Sequence, residues 1–320
     1  MNAMTKNDWQ IYCDCGSNHN GSLDRARQII KETAALSHAT GGHIRGLKFQ
    51  LFKAGKLWAK SEHSPDEAVV KERELPPEWV PLLLQAGREN KIAVGFTPFD
   101  EESLEVLLGY APSTFFKVSS FDLLRTYFLA RCAVGAQAGN HPLHLSTGGA
   151  TQNEIDVALA TVANECPGLA VILYHCVSDY PLAPERARLY KMTHLDVLRI
   201  KYQDRLDIRL GWSDHSRNIG VVCRSMSPYG GVVELHLDLD DRQGVETQYG
   251  HVWTLGELQQ LVMALQGYHD SMDRPREAED RVDLRADPED GLRPLKRHRP
   301  AVVAVPAPKA KSEYPPYWTK

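Results

Sequence analysis

The sequence predicts a closed (β/α)8 barrel followed by a proline-rich, largely irregular tail. Eight apolar segments of strand length recur along the chain, and segments with helical spacing of apolar residues separate them. This strand–helix alternation implies parallel pairing with right-handed crossovers. The region 10–272 has the usual barrel size of roughly 250 residues. An open doubly wound sheet is the alternative, but its GxGxxG turn after the first strand is absent.

Each predicted strand is a run of apolar and β-branched residues. In chain order the strands are 10–17, 45–52, 91–99, 113–120, 141–148, 169–178, 207–216 and 231–239. Apolar residues at helical spacing predict the clearest helices around 23–34, 104–108, 155–162 and 255–265. Ser22, Asp100 and Thr151 stand just before three of these helices and are predicted N-caps.

The chain is predicted to divide into a barrel domain over 1–272 and a tail over 273–320. The tail holds eight of the 19 prolines together with charge clusters. Such a composition is typical of a segment without its own core.

Composition excludes several classes of protein. The 320 residues include 37 basic and 41 acidic ones, a net charge of −4, which argues against a nucleic-acid partner. No apolar run approaches the roughly 18 residues of a membrane helix, and no apolar leader is visible at the start. The six cysteines form no CxxC pair. This pattern favours reduced thiols in a cytoplasmic protein.

Two lysines stand inside otherwise apolar strands, where a charge is costly. In a (β/α)8 barrel the active site forms at the carboxyl ends of the strands, and Lys48 and Lys117 approach those ends. A buried lysine needs an anion. With serine and threonine hydroxyls and a Ser-Thr-Gly turn nearby, the lysines favour a phosphate site. The alternative is that each lysine pairs with a barrel carboxylate.

Two histidines end the seventh and eighth predicted strands, which are neighbours in a barrel. His215 and His236, with a nearby carboxylate, could hold a divalent ion and leave open coordination positions. Taken singly, each is more often a hydrogen-bonded structural histidine. His19 and His175 are weaker candidates, expected to be structural or to support other site residues.

Eight segments, one per predicted strand, carry a resemblance to a known family. They are CGSNHNGSLDRA, LKFQLFKA, GFTPFD, KVSSFDL, LSTGGA, HCVSDYP, GWSDHS and ELHLDLD. Together, over about residues 10–265, they resemble the sialic acid synthase family. Its members are metal-dependent TIM barrels that condense phosphoenolpyruvate with an N-acylated aldose, giving nonulosonic acids such as N-acetylneuraminate.

The resemblance implies a role for each matched position. His215 and His236 correspond to ligands of Mn²⁺ or Mg²⁺ and, with Asp14 in place of a family glutamate, to catalytic residues. Positions implied to bind phosphoenolpyruvate are Lys48, Thr97, Lys117, Ser120, Ser146, Ser178 and Ser213. Positions implied to bind the sugar-like aldehyde are Gln50, Asp122 and Tyr180. In the implied mechanism the metal polarises the aldehyde, C3 of phosphoenolpyruvate attacks it, water adds at C2 and phosphate leaves.

The positions at which this sequence departs from the family bear on the predicted binding of the aldehyde more than on that of phosphoenolpyruvate. Asp14 is one methylene shorter than glutamate, and Leu235 replaces a charged residue expected beside the metal site. The family's antifreeze-like domain, which comes from the partner of a dimer and lends an arginine, is not recognisable. Arg293 or Arg297 of the tail is a candidate replacement, and a homodimer is a possible assembly. The region holding Glu246 and His251 matches the family only loosely.

Two further hypotheses stay open. The same phosphoenolpyruvate chemistry could serve a non-sialic acceptor in a specialised pathway. Alternatively, the barrel could be catalytically inactive and act as a binding or regulatory subunit, as Asp14 and Leu235 would suggest. The presence of both histidines and both lysines argues against inactivity, because buried charges are costly to keep.

Overall fold

Eight parallel strands form a closed barrel. The computed structural model describes residues 9–57, 67–226 and 230–272. The barrel strands are β1 (Gln10–Gly16), β2 (Ile44–Leu51), β3 (Ala93–Pro98), β4 (Phe115–Val118), β5 (Leu143–Ser146), β6 (Ala170–Cys176), β7 (Asp207–Asp214) and β8 (Gly230–Asp238). Each strand pairs with the next, and β8 pairs with β1. A short strand, β9 (Trp253–Thr254), pairs in parallel with the end of β8. The predicted (β/α)8 barrel is therefore confirmed.

Helices follow the strands and cover the outside of the barrel. They are α1 (Leu23–Ala39), α2 (Ala54–Leu57), α3 (Glu67–Lys71), α4 (Val80–Asn90), α5 (Glu101–Leu108), α6 (Thr126–Ala138), α7 (Gln152–Glu165), α8 (Met192–Tyr202), α9 (Ile219–Ser225) and α10 (Leu255–Met272). Single 3₁₀ turns lie at Pro77–Trp79, Ala111–Ser113, Pro184–Arg186, Leu189–Lys191 and Thr247–Tyr249. Within the described ranges no helix is long and apolar enough to cross a membrane. The predicted tail, with Arg293 and Arg297, lies outside the described residues.

The three predicted N-caps are confirmed. The Ser22 hydroxyl accepts a hydrogen bond from the backbone N–H of Arg25, and the Asp100 carboxylate accepts one from Ser103. Thr151 forms a reciprocal capping box with Glu154 at the start of α7. These short polar side chains satisfy N–H groups that the first helical turn leaves unpaired.

Strand alternation directs one set of side chains outward into an apolar layer and the other set into the barrel interior, which is polar toward the carboxyl ends of the strands. In β8, Val233, Leu235 and Leu237 are fully buried in the main apolar core, while Glu234 and His236 contact polar groups of other strands. Leu235 was expected to weaken the metal site as a lost charge beside it. Its side chain instead belongs to the apolar core, because successive side chains of a strand point to opposite faces and Leu235 therefore points away from the side that His236 faces.

Aromatic side chains fill the part of the barrel interior farther from the carboxyl ends of the strands. Tyr12, Phe115 and Tyr174 belong to one buried cluster, and the His144 ring packs 4.8 Å from that of Phe115 and 4.5 Å from that of Tyr12. Nδ1 of His144 lies 3.0 Å from the Tyr174 hydroxyl. Burial lowers the pKa of His144 to about 3, so this imidazole is neutral in the folded protein. Between this cluster and the carboxyl ends of the strands, the polar side chains of the strands meet in the interior.

We expect His144 to make the folded state sensitive to acid. Its pKa is about 6.5 in an unfolded chain and about 3 in the fold. The unfolded state therefore gains a proton that the fold excludes, and stability falls as the pH drops below 6.5. From pH 7 to pH 5 this single group should cost about 2 kcal/mol. Urea unfolding of His144→Gln, which can still bond Tyr174, should show a loss smaller by that amount. Equal losses in both proteins would contradict this account.

Candidate active site

Register across three strands brings Asp14, Lys48 and His236 together. In the β1–β2 ladder Asp14 is opposite Lys48, and in the β1–β8 ladder it is opposite His236. The Lys48 ammonium pairs with Oδ2 of Asp14. Gln50 donates to the same oxygen at 3.1 Å, and Nε2 of His236 lies 3.8 Å from it. Asp14 is therefore the centre of a buried polar group at the carboxyl ends of these strands.

A second buried ion pair crosses the barrel interior. Lys117 of β4 pairs with Oε1 of Glu234 in β8, and the Ser213 hydroxyl donates to the same oxygen at 3.1 Å. Oε2 of Glu234 has no hydrogen-bond partner among the described residues. Each lysine thus pairs with a barrel carboxylate, which was the alternative to a phosphate site. Glu234 was not among the predicted functional residues.

Burial and neighbouring charges act against each other at these four groups. Burial raises the pKa of Asp14, but the charges of Lys48, His236 and Lys117 together with the hydrogen bond from Lys48 outweigh it and hold that pKa below its ordinary value. Burial likewise raises the pKa of Glu234, and the charges of Lys117 and Lys48 together bring it below its ordinary value. Burial lowers the pKa of Lys117. The set has no net charge, yet each ammonium has three N–H donors and so keeps donors for a bound anion.

Hydroxyl groups that follow two strands, β4 and β6, converge on Gly148. Its backbone N–H donates to the Ser120 hydroxyl at 2.9 Å. A Cβ at this position would lie 2.6 Å from Oγ of Ser178 and 2.9 Å from Oγ of Ser120, so only glycine allows this approach. Ser146 is buried at the end of β5, and the buried Thr97 hydroxyl has no partner among the residues described. Small donors of this kind suit phosphate oxygens.

The three residues predicted to bind the aldehyde divide into two groups. Gln50 contacts Asp14, and the Tyr180 ring lies 4.0 Å from that of His215. Asp122 instead accepts hydrogen bonds from Ser119 at 2.6 Å and from Arg125 at 2.8 Å. The structure therefore brings Gln50 and Tyr180 to the centre of the site, whereas the carboxylate of Asp122 is engaged by its own loop.

Both predicted metal histidines have one ring nitrogen fixed by a hydrogen bond. Nδ1 of His215 donates to the Val177 carbonyl at 2.8 Å, and Nδ1 of His236 lies 2.8 Å from Oε2 of Glu246. The two ring centres are 5.6 Å apart. Such outer hydrogen bonds orient a histidine and leave Nε2 available to a metal. Burial lowers the pKa of His215 to about 3, so it is in the neutral, ligating form.

The segment after β8 adds two residues whose roles the sequence left ambiguous. One ligand atom each of His236, Glu246 and His251 lies within 4.8 Å of the others, and no other group of this kind occurs in the part of the chain that the structure describes. His175 instead bonds the Ala187 carbonyl, and His19 packs edge-on against Trp79, as expected of structural histidines. No motif marked Glu246 or His251, because their segment matched the family only loosely.

Comparison with known proteins identifies relatives of this barrel. The sequence profile of the NeuB family matches residues 36–276. The spore coat polysaccharide biosynthesis protein SpsE of Bacillus subtilis is 28% identical over 240 residues, which cover 72% of this chain and 60% of SpsE. The N,N'-diacetyllegionaminic acid synthase of Campylobacter jejuni is 30% identical over 243 residues, 72% of this chain and 67% of the relative. The match to SpsE thus spans less than two thirds of its length.

Solved structures have the same fold. The N-acetylneuraminic acid (sialic acid) synthetase of Leptospira borgpetersenii, in complex with citrate, superposes with a TM-score of 0.70 at 23% identity, covering 91% of this chain and 92% of that one. The SpsE structure from Bacillus subtilis gives a TM-score of 0.67 at 25% identity, covering 83% of this chain and 69% of the SpsE chain.

Proposed function

Because the chain belongs to the NeuB family, we propose that it condenses phosphoenolpyruvate with an N-acyl sugar aldehyde, using a divalent metal, to give a nonulosonic acid and phosphate. The observation that carries the proposal is the convergence of Asp14, Lys48, Lys117 and His236 at the carboxyl ends of the strands. The name of the Campylobacter jejuni relative, a legionaminic acid synthase, supports an acceptor of this class.

Phosphoenolpyruvate would bind between the two lysines and the hydroxyl groups around Gly148. Lys48 and Lys117 would share their ammonium donors between their carboxylate partners and the phosphate. Ser120 and Ser178, with Thr97, Ser146 and Ser213, would bond the remaining phosphate and carboxylate oxygens. Because the site is buried, these charge-assisted bonds act where water does not screen them.

The reaction forms one carbon–carbon bond and replaces the phosphate oxygen on C2 with a water oxygen. C3 of phosphoenolpyruvate bonds to the aldehyde carbon, and the aldehyde oxygen takes up a proton. A water oxygen then adds at C2 and gives up one proton, and as the bond from C2 to the phosphate oxygen breaks, the remaining proton of that hydroxyl passes to the leaving phosphate and a ketone forms. Asp14 would hold this water, since its low pKa keeps it an acceptor. Gln50 and Tyr180 would orient the acceptor, as would Asp122 after release from Arg125.

The residues present fit a divalent ion. His215 and His236 each direct Nδ1 to a hydrogen-bond acceptor, which leaves Nε2 for the ion, and we propose both as ligands of Mn²⁺ or Mg²⁺. The bound ion would supply Lewis acidity at the aldehyde. All six cysteines are unpaired, which supports the proposal that the enzyme works in the reducing cytoplasm.

Phosphate release tests the proposed function. Purified protein is given phosphoenolpyruvate with Mn²⁺ or Mg²⁺ and a panel of N-acyl hexosamines and simpler aldoses. We expect release that needs both the metal and one N-acyl sugar, and mass spectrometry should find one C–C adduct per phosphate. Release with a simple aldose alone would favour a non-sialic acceptor. If the protein neither releases phosphate nor binds phosphoenolpyruvate in calorimetry, the proposal is rejected in favour of an inactive barrel.

A further inference from the structure

The loop after β8 is held by the turn that follows β1, and this fixes the backbone that carries Tyr249. The N–H of Glu246 donates to Oδ1 of Asn18 at 2.9 Å, and the N–H of Val245 donates to Oδ1 of Asn20 at 2.9 Å. Tyr249 ends the 3₁₀ turn that follows directly. The position of this tyrosine is therefore set by side chains from the far end of the sequence.

A row of rings leads from the centre of the site toward the surface. The ring centre of His251 is 4.7 Å from that of His236 and 5.0 Å from that of Tyr180. The Tyr249 ring stacks on His251 at 6.5 Å, with 20° between the two planes. His251 is 2% exposed, whereas Tyr249 is partly exposed. The row thus runs outward from the site and ends at Tyr249.

Arg73 lies at the outer end of this row. Its Nη2 donates to the Tyr249 hydroxyl at 3.2 Å, and this is its one side-chain hydrogen bond among the residues that the structure describes. The neighbouring Glu74 is engaged elsewhere: it accepts from the N–H of Ala54 at 2.7 Å and pairs with Lys53 at 3.5 Å. Within the described ranges, a partly buried guanidinium is therefore left without a counter-charge.

Arg73 and Tyr249 together present unused hydrogen-bond donors. A guanidinium has five N–H donors and no acceptor, so donors remain after the bond to the tyrosine. The Tyr249 hydroxyl accepts from Arg73 and donates its own proton to none of the described residues. An ionised carboxylate only accepts hydrogen bonds, fits the planar fork of arginine and brings one negative charge. A carboxylate is therefore the group that matches this pair.

We propose that Arg73 and Tyr249 bind a carboxylate at the end of the acceptor remote from its aldehyde. This inference rests on the proposed function, because that function places the aldehyde at His215 and His236 and the acceptor beside Tyr180. From there the acceptor extends along the row of rings. Its class is an N-acyl sugar acid, an open-chain aldose whose last carbon is a carboxylate. Arg73 is thus a specificity-determining residue that takes no part in bond formation.

Phosphate release compares three acceptors that differ only at the last carbon: an N-acyl hexosamine, its uronic acid and its 6-phosphate. We expect the wild type to prefer the uronic acid by at least about tenfold in kcat/KM. In Arg73→Gln that value should fall about 10- to 100-fold, mainly through KM, because charge-assisted hydrogen bonds are lost. The neutral sugar, and KM for phosphoenolpyruvate, should stay within about twofold. Arg88→Gln, an exposed arginine of α4, should match the wild type throughout.

Three results of this comparison would overturn the inference. The first is a wild type that shows no preference for the uronic acid. The second is a preference for the 6-phosphate. The third is an equal loss with the neutral sugar in Arg73→Gln, which would indicate a structural role. Arg73→Lys keeps the charge but loses the fork, so its kcat/KM for the uronic acid should lie between those of the wild type and Arg73→Gln.

Calorimetry separates this inference from the proposed function. The uronic acid is titrated into each protein with Mn²⁺, and thermal unfolding checks that Arg73→Gln folds. We expect at least about tenfold weaker binding in that variant. If this difference occurs in a protein that never releases phosphate, the carboxylate site is supported and the proposed function is rejected. A wild type that uses the neutral sugar but neither turns over nor binds the uronic acid supports the function and overturns the inference.

Discussion

Replacing Lys117 with methionine should lower the free energy of unfolding by about 3–5 kcal/mol and weaken phosphoenolpyruvate binding by about 10- to 100-fold. The stability is lost because Glu234 is buried and its other oxygen already lacks a partner, so the variant leaves a carboxylate without a counter-charge. The affinity is lost because the ammonium would also bond the phosphate. Urea unfolding and calorimetry measure the two effects separately.

A double variant distinguishes the two roles of Lys117. In Lys117→Met/Glu234→Gln both charges are absent, so we expect most of the lost stability to return. Phosphoenolpyruvate affinity should remain as low as in the single variant. A double variant as unstable as the single one would show that the ion pair is not the cause. Unchanged affinity in Lys117→Met would reject its phosphate role.

Replacing His236 with alanine should reduce metal-dependent turnover by at least about a thousandfold, since Lewis-acid stabilisation is worth several kcal/mol and each 1.4 kcal/mol is a factor of ten. His236 contacts Glu246 and approaches Asp14, so its loss removes the residue that links both carboxylates. His215→Ala should reduce metal-dependent turnover by a similar factor. Steady-state phosphate release, with Mn²⁺ varied, measures the effect.

An exposed histidine provides the control for this experiment. His194→Ala in α8 removes an imidazole from the surface and should keep wild-type turnover and Mn²⁺ dependence. A chelator should lower wild-type turnover to the level of His236→Ala and leave that variant unchanged. If His236→Ala kept full turnover that a chelator still abolished, the ion would bind elsewhere.

The sequence predicts the strands and the caps well because both depend on local features. The run QIYCDCGS predicted a strand over 10–17, and β1 covers Gln10–Gly16. Thr151 and Glu154 sit at the spacing that a capping box requires. Likewise, the rule that barrel sites form at the carboxyl ends of the strands predicted that Lys48 and His236 belong to the site.

Pairing across the barrel could not be predicted from local features. Lys117 and Glu234 belong to β4 and β8, which lie on opposite sides of the closed sheet, so no spacing in the sequence relates them. Glu246 reaches the end of β1 because Gly16 leaves room for it, and this too depends on three-dimensional closure. The segment holding His251 follows a 3₁₀ turn and a left-handed Gly250, where neither helical nor strand periodicity applies.

Closure of the barrel between β1 and β8 has a consequence for protein synthesis. Asn18, just after β1, bonds the carbonyl of Leu237, 219 positions further along the chain. During translation the first strand therefore keeps one edge unpaired until the eighth strand leaves the ribosome, and such edges invite aggregation. The contacts of Glu234 and His236 form in that same late event, so a chain that ends before β8 cannot form the Asp14–His236 contact.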